Sequence, residues 1–102
     1  MKKLNIGNKI EQLNGTPRVF VDEGGNERPL VVRDLLVQLY PRMSGKGKEN
    51  SLSLSATMHK IYECKEDFIE LEDHDASILE GAIEGTEPLA WVQAAITEAF
   101  DE

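Results

Sequence analysis

The chain has 102 residues, 40% of them hydrophobic and 29% charged, with a formal net charge of −8. That length and composition belong to one small globular domain, and exclude a disordered chain. A single cysteine, Cys64, excludes an internal disulfide and a cysteine-built zinc site, and no run approaches the roughly 20 apolar residues of a membrane helix.

Residues 1–29 read as a short β-hairpin or arm. Leu4-Asn5-Ile6 and Ile10-Glu11-Gln12-Leu13 are brief apolar stretches punctuated by Gly7 and by Asn14-Gly15. Arg18-Val19-Phe20-Val21 is β-prone and runs into Asp22-Glu23-Gly24-Gly25-Asn26, the order of a strand entering a glycine-rich turn. Strands this short cannot stand alone and must lean on helices.

From Leu30 the period changes. Val32, Leu35, Leu36 and Leu39 fall at i, i+3, i+4 and i+7, predicting a helix over 30–41 that opens near Pro29 and stops at Pro41. Val31 and Val37 lie off that stripe, which makes this the central helix. Residues 42–49 form a flexible, basic, glycine-containing linker. The stretch lacks both the spacing and the strand–helix context of a Walker phosphate loop.

A second helix is expected from Asn50 or Ser51, capped by one of them, with Leu54, Met58, Ile61 and Tyr62 on one face. Phe68–Leu71 enters a third helix, capped by Glu72 or Asp73, carrying Ile78, Leu79, Ala82 and Ile83, and closed by Gly85 in a left-handed conformation. Thr86 is expected to cap the last helix, with Pro88 in its first turn. Its buried stripe would be Leu89, Val92, Ala95 or Ile96, Ala99 and Phe100, widened by Trp91 and Ala94. The fold class is α+β and mostly helical: an N-terminal hairpin or arm, then four α-helices around one small core, with residues 50–102 forming the helical, acidic part.

Charge divides the chain. All eleven Lys and Arg lie between Lys2 and Lys65 with seven acids, a net of +4; residues 66–102 hold twelve acids and no Lys or Arg, a net of −12. Such a split signals a partner, one half shielding the other, or a solvated face that keeps a small protein dispersed.

The acids around His74 are the first candidate chemistry. Asp67, Glu70, Glu72, Asp73 and Asp75 could suggest a metal site, but a calcium loop needs glycine at its sixth position, and counting from Asp67 that position is Glu72. Asp73, His74 and Asp75 are consecutive, so on a helix their side chains diverge. His59 and Cys64 are five apart and do not share a helical face. For acid–base catalysis nothing supplies an apolar pocket, a nucleophile partner or an oxyanion hole, and there is no GxSxG. The cluster reads as a helix start, its carboxylates placed at the positive end of the dipole. No enzyme activity, cofactor or metal is expected.

The "LNG" turn, the "PLVVRDLLVQL" helix, the helix ending "MHKIYE", and then "FIELEDHDASILEGAI" and "EPLAWVQAAI" resemble a family of small proteins encoded by tailed phages and prophages. The resemblance covers Leu13 to Phe100, with a longer "RVFVDEGGNERP" segment here. It implies a phage or prophage origin, and carries no functional residues over.

These readings lead to a non-enzymatic protein-interaction module, a phage accessory or assembly factor in the host cytoplasm, without a signal peptide after Met1-Lys2-Lys3. Its partner would be a protein, either a second copy forming a homodimer or a phage or host protein. Trp91, Phe100, Glu98, Glu84 and Glu80 are the expected partner-binding residues. The alternative is an acidic DNA mimic or regulator that binds a basic or nucleic-acid-binding host protein. Direct nucleic-acid contact through Lys2, Lys3, Arg42, Lys46 and Lys48 is disfavoured by the net charge and by the absence of a recognisable motif.

Overall fold

The computed structural model describes residues 1–21 and 23–101. The elements in chain order are β1 (Lys2–Leu4), β2 (Val19–Val21), β3 (Glu27–Pro29), α1 (Val32–Leu39), α2 (Lys48–Glu63), β4 (Ile69–Leu71), α3 (Asp73–Gly85), α4 (Ala90–Ala99) and β5 (Phe100–Asp101), with a 3-10 turn at Tyr40–Arg42 after α1. This is the α+β, mostly helical architecture expected from the sequence.

The strands make two small antiparallel sheets, one a hairpin of β2 and β3, the other ordered β4-β1-β5. In the second, Lys3 pairs in register with Glu70 on one side and Asp101 on the other. Sequence reading placed the first strand within an N-terminal hairpin or arm. It instead reaches the middle and the end of the chain, because alternation at Lys2-Lys3-Leu4 lets Leu4 enter the core while Lys3 stays out.

Residues 5–8 follow β1 and hold three distant segments at once. The Asn5 N–H donates to the Ala99 carbonyl (2.9 Å) and the Gly7 N–H to that of Asp67 (2.8 Å). The carbonyls of Ile6 and Asn8 accept from the Arg33 and Val32 N–H groups at 3.0 and 3.1 Å, in the first turn of α1. Those helix N–H groups have no partner within the helix, so a neighbouring chain segment supplies one.

The first turn of α1 is closed by Asp34, which is buried. Its carboxylate accepts from the Val31 N–H at 3.2 Å and from Arg28 Nη2 at 2.9 Å. Arg28 also lies over the Phe20 ring, 4.5 Å from its centroid, so Phe20, Arg28 and Asp34 tie the hairpin to the helix.

Val32, Leu35, Leu36 and Leu39 are all buried, as their spacing required. They join Leu4, Ile6, Leu54, Met58, Ile61, Leu79, Ile83 and Ile96 in one core. Helix α2 packs against α1 and α3, and α1 also contacts α4.

Several boundaries differ from the sequence reading. Helix α2 begins at Lys48 with Gly47 as its N-cap, so Asn50 and Ser51 lie inside it and cap nothing. The stretch read as a flexible linker is partly packed: Gly45 is buried, and a Cβ there would meet the Ser51 nitrogen at 2.4 Å. Only glycine fits such an approach. Neither Glu72 nor Asp73 makes a side-chain cap on α3; Glu72 is the N-cap residue and Asp73 and Asp75 lie in the first turn. Thr86 belongs to the end of α3 rather than the start of α4, and its hydroxyl donates to the Ile83 carbonyl at 2.7 Å. The left-handed residue is Glu87 (φ 51°), two positions past Gly85. Tyr62 is exposed, because its helix ends one residue later and turns that side to solvent. Pro88 and Leu89 precede α4, and Leu89 is exposed.

Replacing Gly45→Ala should destabilise the protein by about 1–3 kcal/mol, since backbone rather than a movable side chain would have to give. Urea denaturation measures it. Asp34→Ala, which strands the Val31 N–H and frees Arg28, should cost about 1–2 kcal/mol. Asp34→Asn, which keeps one acceptor oxygen, should recover part of that loss in the same assay.

Candidate interaction surface

Helix α4 has a different environment on each flank, and the five residues expected to bind a partner divide between them. Trp91 and Glu98 lie on one flank, Phe100 on the other with Glu80 and Glu84 of α3.

The first flank is a groove. Its walls are Gly7 to Glu11 with Leu13 on one side, and Trp91, Ala94, Ala95 and Glu98 on the other; Val32 contributes to its floor. Local sequence explains the shape. The Gln12 N–H donates to the Thr16 carbonyl and the Gly15 N–H to that of Gln12, while Gly15 takes a φ of 83°. Leu13 lies in this tight turn, and its side chain stands fully in solvent.

Trp91 is half-buried. One side packs against the core, and the guanidinium carbon of Arg18 lies 3.9 Å from its ring centroid. The Arg18 Nε is buried with no hydrogen-bond partner among the described residues, so stacking on the indole holds this cation. Lys9, Glu11 and Glu98 line the groove and Arg18 adds a second cation through its stack on Trp91, giving balanced charge in a strongly acidic protein. Leu13 and Arg18 escaped sequence reading as site residues. The Asn14-Gly15 signal that predicts the turn was available to expose Leu13; the Arg18–Trp91 contact, made across 73 positions, had no sequence signal.

The second flank is a cleft between α3, α4 and β1, lined by Lys2, Glu80, Ile83, Glu84, Gln93, Ile96, Thr97 and Phe100. Lys2 Nζ is 3.7 Å from Glu80 Oε1, and Gln93 Nε2 donates to Thr97 Oγ1 at 3.2 Å. Glu80 is thus engaged by the protein's own cation.

The acids that surround His74 in sequence disperse in space. Asp73 Oδ1 lies 3.5 Å from the Met1 amino group, and Lys3 Nζ stands 4.6 Å from the Phe68 ring centroid. His74 faces the other way, beside Ser44, Lys46 and Asn50. His59 is exposed on α2 with Nδ1 2.8 Å from the Ser55 carbonyl, and Cys64 is separately half-buried. Among the described residues, no group of three or more His, Cys, Asp or Glu is placed to hold a metal ion, and no helix is long and apolar enough to cross a membrane.

No protein-family model, curated protein or solved structure matches this chain.

Arg18→Ala should shift the emission of the only tryptophan and lower stability by about 0.5–2 kcal/mol, the range of a cation–π contact at a partly desolvated site. Fluorescence-detected denaturation reads both effects at once. Arg18→Lys, which keeps charge but loses the planar stack, should fall between the two.

Proposed function

We propose that the protein is a non-enzymatic interaction module that engages a partner protein through the groove beside α4. By its sequence resemblance we assign it to a phage or prophage, as an accessory or assembly factor acting in the host cytoplasm. The observation that carries the interaction reading is the fully exposed Leu13, which lines one groove with Trp91, Ala94 and Ala95. Apolar side chains left uncovered beside a half-buried tryptophan are typical of interaction surfaces, where aromatic anchors contribute much of the affinity. Balanced charge around the groove favours apolar seating over electrostatic capture.

The acidic mimic is the second reading. It draws on the exposed carboxylates of Asp73 and Glu84 on α3, and on a segment with no Lys or Arg after Lys65. The two readings differ in salt response, because an exposed charge-driven complex weakens as ions screen it.

Affinity purification from cells carrying the induced prophage tests the proposal, using the native chain and a Leu13→Asp, Ala94→Arg double variant. Both positions are exposed, so the fold should be retained. Phage structural components should accompany the native chain and resist about 1 M salt, well beyond the range of exposed ion pairs. The variant should lose them by roughly tenfold or more in affinity. If no phage component accompanies the native chain, the assembly reading fails. A complex that survives the variant and dissolves in salt would place binding on the acidic face instead.

A further inference from the structure

The β2–β3 hairpin has one open edge. The Arg18 carbonyl accepts from the Leu30 N–H at 2.8 Å, and the pair continues through Val19↔Pro29, Phe20↔Arg28 and Val21↔Glu27. In an antiparallel ladder the bonded and non-bonded pairs alternate, so positions 18 and 20 turn their backbone groups toward β3. Val19 and Val21 therefore point their N–H and C=O groups the other way. Ile10 does not block them: its carbonyl takes the Arg18 N–H and its N–H reaches the Leu30 carbonyl, both on the inner side. The two valine side chains are also bare, 60% and 58% exposed.

Other strand edges in the molecule are protected against pairing with themselves. The outer edge of β3 carries Pro29, which has no N–H to offer. Strand β4 lies in a sequence with Glu66, Asp67, Glu70, Glu72 and Asp73, so two copies would bring like charges together. Strand β5 is two residues long, too short an edge to pair with a copy of itself. The sequence at β2 is different. It reads Arg-Val-Phe-Val-Asp-Glu over positions 18–23, basic at one end and acidic at the other.

We propose that β2 is a self-recognition edge, pairing antiparallel with β2 of a second copy of this chain about a two-fold axis at Phe20. In that register Val19 of each copy faces Val21 of the other as a bonded pair, so the outward N–H and C=O groups all find partners. The two Phe20 residues fall at the axis as a non-bonded pair, the closer of the two backbone spacings, while each ring stays under its own Arg28. In sequence, antiparallel pairing runs the basic end of one copy's stretch toward the acidic end of the other's, so like charges are not brought together. The pairing is isologous and closes as a dimer, with no free edge left to propagate. This edge is separate from the groove beside α4, and its test does not depend on any other partner.

The test reads the mass of the native chain and two variants by sedimentation equilibrium over a concentration series. The native chain should rise from the 11.4 kDa monomer to twice that mass. In Val19→Lys, Val21→Lys the new lysines of the two copies face each other, and the dimer should weaken by at least tenfold in Kd. In Val19→Glu, Val21→Lys each new glutamate faces the partner's new lysine, and dimerisation should return to within a few-fold of native. Circular dichroism should be unchanged in both, as the replaced side chains lie in solvent. A native chain that stays monomeric up to about 1 mM, the weak end of specific affinities, overturns the proposal. So does a double-lysine variant that dimerises as well as native, or a glutamate–lysine variant that remains monomeric. Should the double-lysine variant lose its fold, the glutamate–lysine variant alone decides between a native-like dimer and a monomer.

Discussion

Residues 5–8 make the contacts on which the other elements depend. Within four positions the backbone takes up the last carbonyl of α4, a carbonyl of the loop before β4, and the first N–H groups of α1. The helix groups lie at the ends of their elements, where the helix cannot satisfy them internally, and the loop carbonyl has no ladder of its own. An unpartnered buried group would cost about 1–3 kcal/mol, so this short run stabilises three junctions together. Leu4 and Ile6 anchor it by reaching the core from either side of Asn5. Helix α1 has its direction set from the same run, and the hairpin is then fixed against α1 by Arg28 and Asp34.

The division of charge along the chain is partly folded back on itself. Lys2 and the terminal amino group meet Glu80 and Asp73, while Arg33 and Arg42 donate to the backbone carbonyls of Glu66 and Thr86. Every one of these contacts joins the basic segment to the acidic one. The exposed ion pairs contribute little individually, with pairs of this kind near 0–1 kcal/mol. Their arrangement matters more for placement, since Met1 and Lys2 tie the start of β1 to α3. The carboxylates that remain outward still give the protein its negative surface.

How much of this could be read from the residues alone depended on the range of the interaction. The stripe of Val32, Leu35, Leu36 and Leu39 was legible because a helix writes its burial into local spacing. So were the β-prone run before Gly24-Gly25 and the strand-like entry at Ile69–Leu71. Caps were less legible. Asn50, Ser51 and Thr86 all have the chemistry of an N-cap, yet tertiary contacts placed the helix ends elsewhere, at Gly47 and Leu89. The pairing of Lys3 with both Glu70 and Asp101 left no local trace at all. The same holds for the expected binding residues: Trp91 and Glu98 sit on one flank of α4 and Phe100 on the other, a division that depends on the neighbours packed at each side.

The position of β1 also orders events in time. Its partners lie in the loop-and-strand region near residue 70 and at the far end of the chain, so its two pairings are among the longest loops that this polypeptide can close. During synthesis β1 emerges long before either neighbour exists. Helices α1 and α2 can form from local contacts in the meantime, but the sheet must wait for β5. β1 is thus made before its partners and secured only after them, and until then its backbone is open to any strand that passes.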